Sequence, residues 1–193
     1  MCCGGHTFNP VNGLTRNPWD ISKSAGGSSG GSASALASGQ VFLATGNDLG
    51  GSLRTPAGFN GVVGLRPSPG LIPRGDRYMP FDTLWVEGPM ARTVEDIALM
   101  LDCMVGHDIG DPLSFKSKTG CFIESLKRDL KPISIAVSED LNLVPVDSKV
   151  RKVFKTAINN LSKYGLEIND DIPDFSGVLD AFKTLRGVLM ASM

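Results

Sequence analysis

From Ser24 to Gly39 the chain carries six serines, five glycines and four alanines, and Leu36 is the one larger side chain. A tract so poor in side-chain volume has two uses. It can be a flexible linker, since Gly/Ser chain buries no core, or a loop and helix that let other backbone approach closely. Ala33, Ala35, Leu36 and Ala37 are good helix formers opened by Gly31-Ser32, which favours the second use. A second glycine-serine segment follows at Asp48-Leu49-Gly50-Gly51-Ser52-Leu53-Arg54. Glycine is 23 of 193 residues, about 12% against a usual ~7%.

The flanking chain reads as α/β. Residues 1–23 are dense in turn signals (Asn9-Pro10, Asn12-Gly13, Asn17-Pro18) and show no helix or strand period. Val41–Ala44 and Val62–Leu65 are short apolar runs with the character of buried strands. Pro67 to Pro89 reads as an ordered surface loop. Thr93 caps a helix whose apolar face is Val94, Ile97, Ala98, Leu101, Met104 and Val105. Ile133–Val137, after Pro132, reads as a strand. Asp147 caps a helix with apolar residues at Val150, Val153, Phe154, Ala157, Ile158 and Leu161, stopped by Gly165. Leu166–Ile168 is a further strand, and Val178 to Leu189 has helical period. That last helix stops at Met193 without a cap, so the chain reads as cut there.

Composition excludes several function classes. There are 19 Lys+Arg against 20 Asp+Glu, which leaves no basic field for nucleic acid and no polybasic face for lipid. No apolar run approaches the ~18 residues of a membrane span, and MCCGGHTFNP has no signal-peptide character. Four cysteines, Cys2, Cys3, Cys103 and Cys121, make no disulfide framework, so the expected compartment is the cytoplasm. His6 and His107 are the two histidines, and adjacent Cys2-Cys3 lack metal-ligand spacing, so neither a metal nor a cofactor is expected.

Each mechanism that uses glycine loops sets its own condition. A P-loop ends in Gly-Lys-Ser/Thr, whereas Gly31 precedes Ser32-Ala33. A dinucleotide fingerprint needs a strand before its glycines, and Lys23-Ser24-Ala25 is no strand. The nucleophile-elbow pattern occurs at Gly26–Gly30 and Gly27–Gly31, with His107 the one downstream imidazole, beside Gly106 past a helix. Acyl chemistry without histidine remains. A serine nucleophile needs a base, a lysine held neutral can be that base, and a second hydroxyl can relay the proton because it both donates and accepts. Backbone N–H groups from Leu49 to Ser52 would be donors for a tetrahedral oxyanion.

The residues Gly26-Gly27-Ser28-Ser29-Gly30-Gly31-Ser32-Ala33, the step from Ser28 to Ser52, and Gly46-Asn47-Asp48-Leu49-Gly50-Gly51-Ser52-Leu53-Arg54-Thr55-Pro56-Ala57 closely resemble the amidase signature family. So do Asn17-Pro18-Trp19-Asp20, Gly61 to Ser68 and Gly88 to Asp96. The resemblance implies an α/β fold with a mixed central β-sheet flanked by helices. It also implies a Ser–cis-Ser–Lys amidase acting on a small-molecule amide. Ser52 would be the nucleophile, and Ser28, after a cis Gly27-Ser28 peptide, the bridging serine. Leu49, Gly50, Gly51 and Ser52 would form the oxyanion hole. Asp48 and Arg54 would support the loop as an ion pair, and Asn47 stands where the family commonly has threonine or serine. Ser29, Ser32, Ser34 and Ser38 read as packing or capping serines.

The family's lysine precedes the bridging serine by several tens of residues, and Lys23 does not match it. The expectation is therefore one incomplete domain over 1–193, with an irregular lead-in (1–23), a signature core (24–105) and an α/β continuation (106–193). It would lack the lysine and be inactive alone. Three readings stand. One is an amidase, compatible with a homodimer. Another is the A subunit of a tRNA-dependent glutamine amidotransferase, which needs a partner protein. The third is a catalytically dead fragment or scaffold.

Overall fold

The alternation of apolar runs and capped helices becomes two compact units, Met1–Arg128 and Asp129–Met193, in a computed structural model. The structure describes residues 4–75, 79–128 and 133–192. Cys2, Cys3, Pro132 and Met193, each named above, lie outside the described residues.

In the first unit, β1 (Phe8–Asn9) and β2 (Gly13–Leu14) form a short antiparallel hairpin, so the lead-in is less irregular than its turn signals suggest. Asn9 builds the turn, its Oδ1 accepting from the N–H groups of Val11 (3.1 Å) and Asn12 (2.7 Å). Helix α1 (Gly30–Ala37) is the small-residue helix, with Ala33 and Leu36 fully buried. Strand β3 (Leu43–Asp48), helix α2 (Arg54–Asn60), strand β4 (Val63–Gly64), strand β5 (Val86–Ala91), helix α3 (Val94–Met104) and helix α4 (Phe122–Ser125) follow.

The sheet order is β3-β5-β4, with β5 antiparallel to both neighbours. Successive strand residues face opposite sides, and β5 uses both. Met90 joins a core of Ala33 and Leu36 from α1, Ala57 from α2 and Leu53 just before α2, whereas Ala91 joins one of Ile72, Ile97 and Leu101 on the α3 side. Helices thus cover both faces. Thr93 caps α3 as its sequence predicts, accepting from Asp96 N–H at 3.1 Å.

Two strand expectations need correction. The run Val41–Ala44 is not itself the strand: Val41 and Phe42 are exposed, and the ladder runs from Leu43 to Asp48 through Gly46. The stretch from Pro67 to Pro89, which has the signature of a loop, contains most of the central strand, β5. Gly88 and Pro89 disguise it, since both disfavour strand interiors. Leu65 N–H donates to Pro89 O at 3.1 Å, so the proline nitrogen, on the same edge, faces past the end of short β4.

The second unit pairs β6 (Ser134–Val137) in parallel with β7 (Glu167–Asp170), joined through helix α5 (Ser148–Leu161) and the 3-10 turn Ser162–Tyr164. Asp147 caps α5 through Lys149 N–H at 2.8 Å, and Gly165 ends the segment at φ 74°. On α5, Phe154 and Ile158 are half-buried while Val150 and Val153 are exposed. Helix α6 (Val178–Ala191) completes the unit, with Leu189 buried. The pairing is antiparallel in the first unit and parallel in the second, an α/β fold.

Candidate active site

Ser52 stands in the turn between β3 and α2, and the geometry of that turn is set by the last residue of the strand. Asp48 is 0% exposed, and a buried carboxylate needs donors. Its Oδ1 accepts from Gly51 N–H at 2.7 Å and its Oδ2 from Leu53 N–H at 3.2 Å. The two residues flanking Ser52 are therefore both gripped by one side chain. Arg54 closes a fork on the same carboxylate, Nε to Oδ2 and Nη2 to Oδ1, each at 3.0 Å. Arg66 adds Nη1 to Oδ1 at 3.2 Å, bonds the Asp48 carbonyl with the same nitrogen, and donates from Nη2 to Leu84 O at 2.8 Å. Burial alone would push the Asp48 carboxyl up. The hydrogen bonds from Arg54, Gly51 and Leu53 and the Arg54 charge outweigh it and hold the pKa down at about 2.

Leu53, fully buried, anchors the far side of the turn. It sits over a cross-strand glycine pair, Gly46 of β3 opposite Gly88 of β5. A Cβ on Gly46 would come within 2.9 Å of Leu53 Cδ2, and one on Gly88 within 2.5 Å of Leu53 Cδ1. Bare backbone at these two positions is what lets α2 start so close to the sheet.

Against this turn lies the first glycine-serine loop. Ser29 N–H donates to Ser52 O at 3.3 Å. The Ser29 hydroxyl and the Asn47 main chain exchange a donor and an acceptor, Oγ to Asn47 O and Asn47 N–H to Oγ, both at 3.3 Å. Asn47 thus meets the loop through its backbone. The Gly27–Ser28 peptide is cis. Ser28 is 8% exposed, and its buried Oγ has no hydrogen-bond partner among the described residues.

The structure therefore brings Ser28, Asn47, Asp48, Ser52 and Arg54 into one region. Of the four backbone donors, Leu49 is half-buried and Gly50 exposed. The Gly51 N–H, however, is committed to the Asp48 carboxylate rather than free for an oxyanion. The remaining serines have structural bonds: Ser32 Oγ donates to Thr45 O at 2.8 Å, Ser34 Oγ to Arg16 O at 3.1 Å and Ser38 Oγ to Ser34 O at 2.8 Å. His107 and Lys23 are exposed. Among the described residues no three His, Cys, Asp or Glu side chains group as a metal site would.

Sequence reasoning missed three contributors. Arg66 lies within a motif that the resemblance covers, but nothing in its spacing ties it to Asp48. Asn60 is fully buried and donates from Nδ2 to Ala25 O and Pro56 O, each at 2.8 Å, fastening the loop to α2. Thr7 reaches the loop from the lead-in. All three act across long stretches of chain, where no local period signals them.

A family model described as Amidase matches residues 1–191. The chain is 41% identical over 167 residues to the A subunit of glutamyl-tRNA(Gln) amidotransferase from Lactiplantibacillus plantarum, covering 86% of this chain and 34% of the relative. It is 42% identical over 171 residues to an acylamidase of Rhodococcus erythropolis, covering 89% and 36%. Among solved structures, a bacterial aryl acylamidase belonging to the amidase signature enzymes superimposes with a TM-score of 0.86 at 31% identity, covering 98% of this chain and 40% of that one. The chain spans about a third of the length of the curated relatives it matches.

Proposed function

The chain belongs to the Amidase family, and on that premise we propose that it carries the nucleophilic half of an amidase site that cleaves a carboxamide C–N bond through an acyl-enzyme on Ser52. Ser52 Oγ attacks the amide carbonyl carbon while its proton passes to Ser28 Oγ, and the Ser28 proton passes to a neutral amine. Leu49, Gly50 and Ser52 N–H groups receive the oxyanion. The protonated amine, through Ser28, returns a proton to the leaving nitrogen as the C–N bond breaks. Water then hydrolyses the Ser52 ester by the same relay. Asp48, Arg54 and Arg66 hold the turn and exchange no proton.

One observation carries this reading: the Ser28 hydroxyl, buried and without a partner among the described residues, on a loop bonded to the Ser52 main chain. Buried hydroxyls are ordinarily satisfied, so an orphan here fits a group kept for a proton relay. Lys23 is not the amine in this scheme, because it lies exposed in a turn where its backbone N–H donates to Asp20 O at 2.9 Å. Lys23 is the one lysine before Ser28 in the 193 residues, so this reading expects the chain alone to hydrolyse amides far more slowly than a protein that supplies the amine.

The test is hydrolysis of simple aryl and aliphatic amides by the full-length gene product. Ser52→Ala and Ser28→Ala should each lower kcat by ~10³-fold or more. Unchanged turnover in Ser52→Ala would overturn the reading. The name borne by the plantarum relative supports a second reading, in which the chain is part of an amidotransferase. A strong preference for glutamine together with a co-purifying partner protein would select it.

A further inference from the structure

The relay through Ser28 leaves Thr7 unused, although its hydroxyl lies inside the curve of the Ser28 loop. Thr7 Oγ1 donates to Gly26 O at 3.0 Å, with Ser28 O at 3.3 Å, and accepts from Gly30 N–H at 3.1 Å. One hydroxyl offers one proton and two lone pairs, and here both functions are spent on main chain either side of Ser28. The loop is shaped to admit it. A Cβ on Gly30 would fall on Thr7 Oγ1 and come within 3.0 Å of Thr7 Cβ. The chain leading into Thr7 is as close: a Cβ on Gly27 would approach Gly4 O and His6 N at 2.7 Å each. On the other side, a Cβ on Gly26 would approach Pro56 Cα at 3.2 Å. The loop is thus held between the lead-in and α2. Ser28 itself contributes no side-chain bond to that fixation.

We propose that Thr7 is a positioning residue for Ser28: its hydroxyl fixes Gly26, Ser28 and Gly30 so that Ser28 Oγ stays aimed for proton transfer. This rests on the reading of Ser28 as the relay. Misplacing a reacting group by about 1 Å costs on the order of 10²-fold in rate, so the hydroxyl matters to kcat rather than to substrate affinity.

The test compares Thr7→Val, which keeps the shape and removes the hydroxyl, with Thr7→Ser, which keeps the hydroxyl. In the full-length gene product Thr7→Val should lower kcat about 10- to 100-fold with little change in KM. Thr7→Ser should recover most of that loss. Gly30→Ala, which drives a methyl group into the hydroxyl's place, should reproduce the kcat loss and be non-additive with Thr7→Val. Hydrogen exchange adds a readout that does not depend on activity, with the Gly30 N–H exchanging about tenfold faster or more in Thr7→Val while α3 is unchanged. Unchanged kcat in a folded Thr7→Val, or equal losses in Thr7→Val and Thr7→Ser, would overturn the proposal. If Thr7→Val fails to fold, Gly30→Ala and the exchange in Thr7→Ser decide. Ser28→Ala separates the two claims: full activity there defeats the relay reading, whereas loss there with none in Thr7→Val defeats Thr7 alone.

Discussion

Asp48 grips the N–H groups of Gly51 and Leu53 while Arg54 forks onto the same carboxylate with two bonds of 3.0 Å. The residue between those two N–H groups is Ser52, so one buried acid fixes the main chain on both sides of the proposed nucleophile. Removing the acid leaves the N–H groups of Gly51 and Leu53 without an acceptor and takes the carboxylate from Arg66, which keeps its bonds to the Asp48 carbonyl and Leu84 O. Asp48→Ala is expected to lower the unfolding free energy by about 3–5 kcal/mol. Arg54, 57% exposed, retains water when its partner is lost, and Arg54→Ala should cost only about 1–3 kcal/mol. Urea unfolding of the two variants checks the order.

The same carboxylate sets an acid limit. Its pKa is held at about 2, below the ordinary 3.8, so the folded state favours the ionised form. The stabilisation is complete above the ordinary value and is lost as pH falls from there through about 2, amounting to about 2 kcal/mol. Stability measured from pH 6 down to pH 2 should fall in that window. Asp48→Asn should flatten this part of the profile.

Gly46 and Gly88 face each other beneath Leu53. A methyl group on Gly46 would meet Ser29 Oγ at 2.6 Å as well as Leu53, and the strand leaves no room to turn it away. Gly46→Ala should destabilise by about 1–3 kcal/mol through overpacking. It should also slow amide hydrolysis in the full-length gene product, because Ser29 links the two loops. A thermal melt and a kcat measurement on the same preparation test both effects.

Thr93 accepts from Asp96 N–H at the start of α3. Thr93→Ala should cost about 1 kcal/mol and Thr93→Ser much less, since the hydroxyl is the capping group. Hydrogen exchange in the first turn of α3 should rise only in the alanine variant.

Thr93 also marks what a sequence makes legible. Its cap, the cap at Asp147 and the stop at Gly165 each join residues within one turn and are readable from spacing, whereas the Asp48–Arg54 pair is legible only through the family resemblance of its segment. The small-residue helix is readable because Ala33 and Leu36 sit among helix formers. Strand β5 is not, because Gly88 and Pro89 carry the local signature of a loop, and only the shortness of β4 makes room for the proline. Val41 and Phe42 mislead in the opposite direction, being apolar, β-prone and exposed. Arg66, Asn60 and Thr7 reach partners 18, 35 and 19 positions away, separations that carry no periodic signal. The commitment of Gly51 N–H to Asp48 could not be anticipated either, since a glycine loop presents its donors alike until a buried acid claims one.

The proposed chemistry turns on Ser52 Oγ as the atom that takes the acyl group. Its most direct test is to treat the full-length gene product with an activated-serine reagent, or to quench it during amide turnover, and to map the adduct by peptide mass spectrometry. An acyl or probe adduct on Ser52, absent in Ser52→Ala, is the predicted result. An adduct on another residue, with Ser52 unmodified and turnover intact, would contradict it.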